Sequence, residues 1–145
     1  MRVTKYKLTC KPTGKLQDAA FVKCSKDAYN IAKNFYKDDI LIYESFYVIA
    51  LNQANGVIGY MLISQGGVTA TCVDPILIAK FVIDTLARAV VLIHNHPSGN
   101  LKPSTADINL TKKTKEALNS LDVTVVDHLI LTETDYYSFA DEGLF

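Results

Sequence analysis

VVLIHNHPSGNLKPSTADINL, residues 90–110, passes from four apolar residues into two histidines at alternate positions. It then crosses a loop containing Pro and Gly and enters Ser104-x-x-Asp107. The apolar run reads as a buried strand, and the stretch after Pro103 as the start of a helix. Side chains two apart in an extended segment project to one face, so His94 and His96 leave the strand end pointing together. The loop turns the chain back so that the helix N-terminus can face them. A strand, a reversing loop and a returning helix are the makings of a sheet packed under helices, with polar groups collected where a strand ends.

Working outward, the residues before this stretch repeat the pattern. Asp74 and Pro75 give an N-cap followed by proline at the first helical position, and ILIAKFVIDTLARA after them is apolar nearly all round, which predicts a well-buried helix. A short strand, VTATCV, is expected after Gly66 and Gly67. SFYVIALN and VIGYMLIS read as two strands joined at QANG, with Asn55 and Gly56 at the turn. Towards the N-terminus, VTKYKLTC reads as a strand, KPTGK as a turn, and SKDAYNIAKNFYKDDI as a helix behind Ser25 as N-cap. Downstream, ADINLTKKTKEALNSL places Ile108, Leu110, Thr111, Leu118 and Leu121 around an amphipathic helix, and DVTVVDHLILT and YYSFA finish as strands. Helices alternate with strands in the middle while hairpins at both ends require antiparallel pairing, so the expected class is α/β, a mixed β-sheet flanked by helices.

At 145 residues the chain suits a single domain, with residues 1–40 as a strand-helix extension and 41–145 as the core that carries the site. Hydrophobic residues make up 49% and charged residues 21%, the balance of a folded globular protein. Fifteen basic and fifteen acidic residues cancel, so no global field favours nucleic acid as a partner, although a local patch is allowed. No window approaches the length of a membrane span, which predicts a cytoplasmic protein with no membrane partner. Cys10, Cys24 and Cys72 form no C-x-x-C pair, read as small buried residues, and confine any metal site to His, Asp and Glu.

His94 and His96 can reach one ion together, and a zinc site with an open position wants a third protein ligand, for which Asp107 is the candidate. Ser104-x-x-Asp107 taken alone is a capping box with Asp in place of Glu, and a lone H-x-H is a weak signal. The conjunction of the two across a reversing loop is stronger than either. Gly99 and Asn100 are expected to shape that loop through tolerance of positive φ. His128 either orients a ligand or is a buried histidine bonded to a neighbour.

At His94, His96, Ser104 and Asp107 the sequence resembles the JAMM (MPN) zinc metallopeptidase motif, H-x-H, seven residues, S, two residues, D. HNHPSG with PS-x-x-D, then LDVTVVDHLILT and YYSFADEGLF, resembles the RadC family of bacterial proteins over roughly residues 40 to 145. The resemblance implies a deaminase-like α/β/α sandwich and a zinc ion held by His94, His96 and Asp107. It further implies a water activated by that ion, a carboxylate that takes its proton, and Ser104 as hydrogen-bond donor to the oxyanion. By family position the carboxylate is Glu44. The residues themselves also leave Glu116, Glu133 and Glu142 available.

The implied activity is hydrolysis of a peptide or isopeptide bond. The alternative is a zinc-containing domain without catalysis that binds a protein or serves DNA repair, a label RadC proteins have carried. The helix-hairpin-helix-like segment of longer members is not evident in the forty or so residues before Glu44. Other chemistries fit less well. A nucleobase deaminase needs a P-C-x-x-C pair, HNH nucleases disperse their three residues, and a phosphate-cradling loop wants more glycines and a Lys before the helix than PSGNLKPS offers.

Overall fold

The computed structural model describes residues 20–36, 40–66 and 72–145. The strand expected at VTKYKLTC, the KPTGK turn, Cys10 and most of VTATCV lie outside the described residues, and Cys72 and Val73 have no regular structure. The elements run α1 (Ser25–Tyr36), β1 (Ser45–Leu51), β2 (Val57–Gln65), α2 (Pro75–Thr85), β3 (Ala89–Asn95), α3 (Thr105–Asn119), β4 (Thr124–Leu131) and β5 (Tyr136–Ser138). The five strands form one sheet in the order β2-β1-β3-β4-β5. β3 and β4 are parallel, joined across α3, and every other neighbouring pair is antiparallel. The sheet is therefore mixed, as the hairpins at either end require.

Helices cover both faces. On one, Ala28, Tyr29, Ala32 and Tyr36 of α1 pack against Ile49, Leu51, Val91, Ile93, Leu129 and Leu131. On the other, Ile78 and Val82 of α2 and Leu118 of α3 pack against Phe46, Val48, Ala50, Val90, Leu92 and Val125. This is a three-layer α/β/α sandwich. Alternation along β3 sends Val90 and Leu92 to one core and Val91 and Ile93 to the other, which is why that strand reads as an unbroken apolar run.

β4 departs from simple alternation. Val90 pairs with Val125 but Val91 pairs with Asp127, so Val126 is an extra residue, a β-bulge. The bulge changes which parity faces which helix: Val125 belongs to the α2/α3 core, yet Leu129 and Leu131 belong to the α1 core. His128 is thereby delivered to the α3 side. Asp127 stabilises the irregularity, accepting hydrogen bonds from the backbone N of His128 at 2.7 Å and of Ala140 at 3.0 Å, and from Ser138 Oγ at 2.6 Å.

Several local expectations need correction. α1 is not capped by Ser25, which is its first residue and donates its hydroxyl to Asp141. Asp27 instead reaches back to the backbone N of Lys23 at 2.9 Å. α2 keeps its Asp74 cap and its proline, but it is buried only along Ile78 and Val82. It rests on β1, β2 and α3 with one side, so Ile76 is 73% exposed on the other. Ile108 and Leu121 are exposed, and the buried stripe of α3 is Thr111, Thr114 and Leu118. Cys24 and Cys72 are exposed, not buried, and neither is in a disulfide. At the QANG turn Asn55 takes a φ of 59°, and a Cβ on Gly56 would stand 2.8 Å from Asn52 Nδ2, so a larger residue there would displace the Asn52 side chain that accepts from Gly56 N. Among the described residues no helix is long and apolar enough to cross a membrane.

Candidate metal centre

β3 ends in the polar residues of interest, and its final turn of alternation separates them. His94 and Asn95 are both buried but point to opposite faces, while His96 follows just past the strand. The backbone N of His96 still bonds the Leu131 carbonyl at 2.9 Å, which carries the extended geometry through His96. The chain then turns, with Gly99 N on the His96 carbonyl at 3.0 Å and Gly99 at a φ of 79°. Gly99 has the positive φ expected of it; Asn100 does not share it. Asn100 contributes its carbonyl instead, which accepts from His96 Nδ1 at 2.6 Å and leaves His96 Nε2 facing inward.

The helix start supplies the third group. Ser104 caps α3 with its Oγ accepting from Asp107 N at 3.1 Å, and Asp107 Oδ2 accepts from Ser104 N at 2.7 Å, a reciprocal capping box. The Ser104 hydroxyl also donates to that same Oδ2 at 2.6 Å. Asp107 thus commits Oδ2 to the cap and turns Oδ1 to His94, 3.2 Å from its Nε2. His94 Nε2 and His96 Nε2 are 2.9 Å apart, and His96 Nε2 is 3.7 Å from Asp107 Oδ2. Ligand atoms of these three residues all lie within 4.8 Å of one another. Nitrogens and oxygens bound tetrahedrally at about 2.0–2.1 Å from zinc stand about 3.3–3.4 Å apart, a value that these separations bracket. The donor set, two imidazoles and one carboxylate at a strand end, fits a divalent ion with room for a further ligand.

The electrostatics agree with a site built for positive charge. Burial opposes ionisation of Asp107, yet its contacts with His94 and His96, aided by Ser104, hold its carboxyl well below the usual carboxylate range. The hydrogen bond to Asp107 raises the pKa of His96, against the opposing effect of burial, and the Asn100 carbonyl and the charge of Glu44 add to the rise.

Glu44 lies just ahead of β1. Phe46 pairs with His94 across the β1/β3 ladder, and Ser45 N donates to the Asn95 side chain at 2.8 Å, so Glu44 sits one step further on, alongside His96. It is half-buried and stands outside the set of three that closes on one point. Glu116, Glu133 and Glu142 are exposed.

Asn95 is the residue that sequence reasoning missed. Its Nδ2 donates to the carbonyls of Ile40 at 2.7 Å and Tyr43 at 2.8 Å while its Oδ1 takes the Ser45 N–H, so one buried amide fixes the segment that presents Glu44. The signal was available: an amide in an otherwise apolar strand must find partners. Tyr36, buried in α1, reinforces the same segment by donating to the Ser45 carbonyl at 2.7 Å. His128 lies fully buried behind His94, its Nε2 2.8 Å from His94 Nδ1, stacked on Phe139. Burial, with the adjacent His94, pushes its pKa well below that of an ordinary histidine, so the ring is neutral.

Comparison with known proteins agrees with this geometry. The family described as the RadC-like JAB domain matches residues 22–144. A UPF0758 protein of Flavobacterium johnsoniae is 47% identical over 124 residues, 86% of this chain and 53% of the relative. A UPF0758 protein of Porphyromonas gingivalis is 41% identical over 121 residues, 83% of this chain and 52% of the relative. The chain thus spans about half the length of these relatives. A match across nearly all of the described fold, site included, places the chain in the RadC-like JAB domain family.

Proposed function

We propose that the protein is a zinc-dependent hydrolase of the JAMM type that cleaves a peptide or isopeptide bond. The observation that carries the reading is the convergence of His94 Nε2, His96 Nε2 and the Asp107 carboxylate at the end of the β3 strand, with a half-buried glutamate alongside. When bound, zinc supplies a Lewis acid that makes water nucleophilic near neutral pH. The chain supplies the rest. His94, His96 and Asp107 hold the ion, and Glu44 accepts a proton from the attacking water. In this reading Ser104 donates to the substrate oxygen, for which its hydroxyl has to rotate away from Asp107 Oδ2.

The test separates binding from turnover. Wild type is expected to carry one zinc per chain and the His94→Ala/His96→Ala variant to carry none, measured by elemental analysis. Glu44→Gln should keep the zinc and lose about 10² to 10⁴ in rate on any peptide or isopeptide substrate the wild type cleaves, since an amide cannot take the proton. Equal zinc in wild type and the double variant would remove the metal site, and undiminished turnover in Glu44→Gln would remove Glu44 from the mechanism.

A further inference from the structure

Behind His94 runs a chain of contacts whose protons can be placed one at a time. Thr111 Oγ1 is 2.6 Å from the Asp107 carbonyl oxygen, one turn earlier in α3. A carbonyl has no proton to offer, so the hydroxyl proton of Thr111 lies in that contact. The same Oγ1 is 2.6 Å from His128 Nδ1. With the hydroxyl proton spent, this second contact needs a proton from the ring, and His128 is therefore protonated on Nδ1. A neutral imidazole carries only one N–H, so His128 Nε2 is an acceptor. It stands 2.8 Å from His94 Nδ1, which must then be the donor. The sequence of protons ends at His94 Nε2, which then faces His96 Nε2 at 2.9 Å and Asp107 Oδ1 at 3.2 Å, so without an ion the single His94 proton is contested between Asp107 and His128, and the buried chain behind the ring favours His128.

We propose that His128, set by Thr111, is a positioning residue that locks His94 in the Nδ1–H tautomer and so presents Nε2 as a ligand atom. The inference rests on the zinc reading for its purpose but not for its geometry. A ligating histidine commonly hands its second N–H to a carboxylate, a backbone carbonyl or water. Here a buried imidazole takes that place, and its own orientation is fixed by Phe139 stacked at 4.7 Å and Phe46 edge-on at 5.5 Å. An unrestrained histidine exchanges between tautomers, and only one of them leaves Nε2 free to bind.

The test reads the tautomer directly, from long-range proton–nitrogen correlation spectra of ¹⁵N-histidine-labelled full chain, metal-free and at mildly alkaline pH. Wild-type His94 is expected as the Nδ1–H form. His128→Leu removes the acceptor and should give a mixed or Nε2–H His94, with zinc affinity reduced about 10- to 100-fold in a chelator competition. His128→Gln returns an acceptor oxygen near the lost Nε2 and should recover most of both. Thr111→Val, which leaves His128 in place, should loosen both ring tautomers with a smaller loss of affinity, and Thr111→Ser should restore them. Should His128→Leu fail to fold, the Thr111 pair carries the same test. An Nε2–H His94 in the wild type, or an unchanged His94 tautomer in the variants, overturns the proposal. A wild type with the Nδ1–H tautomer that binds no zinc upholds the lock and overturns the zinc reading instead.

Discussion

At position 95 an amide with no solvent exposure holds three backbone groups of the segment 40–45, and none of them belongs to the metal cluster. Asn95→Ala leaves the Ser45 N–H and two carbonyls short of a partner; the buried N–H costs about 1–3 kcal/mol, and the part-buried carbonyls, which water can reach, cost less. The unfolding midpoint in denaturant should fall accordingly. Turnover per folded molecule should fall further than zinc affinity, because Glu44 and not a ligand loses its support. Unchanged turnover in the folded fraction would show that Glu44 is held some other way. Ser104 is a different case, since its hydroxyl serves the cap and the ligand together. Ser104→Ala should cost about 0.5–2 kcal/mol of stability through the cap, and should also weaken zinc binding, because Asp107 Oδ2 loses a donor. Ser104→Thr should retain most of both. A midpoint that does not move in Ser104→Ala would contradict the capping geometry.

Among the elements, α2 shows most clearly how far composition reaches. The all-apolar stretch predicts the helix itself and its Asp74 cap, but composition does not say how many sides a helix has covered. Only Ile78 and Val82 are fully enclosed. Ile78→Ala should therefore cost about 2–5 kcal/mol, while Ile76→Glu should stay within about 0.5 kcal/mol. The same helix ends on Leu86 in the left-handed region, φ 53°, with its side chain 74% exposed. A leucine there carries backbone strain and little packing, so Leu86→Gly should raise stability by up to about 1 kcal/mol. Calorimetric midpoints of the three variants check all of this, and a destabilised Leu86→Gly would mean that the exposed leucine is held by contacts not visible at α2. The turn at Asn55–Gly56 and the turn at Gly99 were legible because positive φ has a sequence signature. The bulge at Val126 was not, because a strand with one residue too many has the same letters as one without.

For the whole molecule, the two apolar cores lie on opposite faces of the sheet, and of the three candidate ligands only His94 is buried, stacked on Phe46, while His96 and Asp107 are half-buried. The fold should survive removal of the ion. Chelation is expected to leave the far-UV circular dichroism unchanged while lowering the melting midpoint, and restored zinc at a hundred times its dissociation constant should return about 2.7 kcal/mol. Loss of secondary structure on chelation would make the metal structural. The layers and the meeting of His94, His96 and Asp107 were readable in sequence because hydrophobic period, turn chemistry and H-x-H spacing are local signals. Asn95 was given no role and the two readings of His128 stayed open, because each depends on a partner far along the chain: Asn95 on residues 40–45, and His128 on Thr111 of α3. Cys24 and Cys72 were placed inside by residue-type preference, which their positions beside α1 and ahead of α2 override.

The extra residue in β4 has a consequence for the charge of the site. Counted by strict alternation from Val125, the position turned towards α3 would be 127, and the group behind His94 would be a carboxylate. The bulge substitutes the next side chain, an uncharged imidazole, and sends Asp127 to bond Ser138 and Ala140. The carboxylate is therefore turned away from His94, although it stays on the backbone N of His128. On the zinc reading, a dication between His94, His96 and Asp107 would be less completely neutralised than with an aspartate in line behind its ligand, held less tightly but polarising what it touches more strongly. One surplus valine thus decides which side chain stands behind His94.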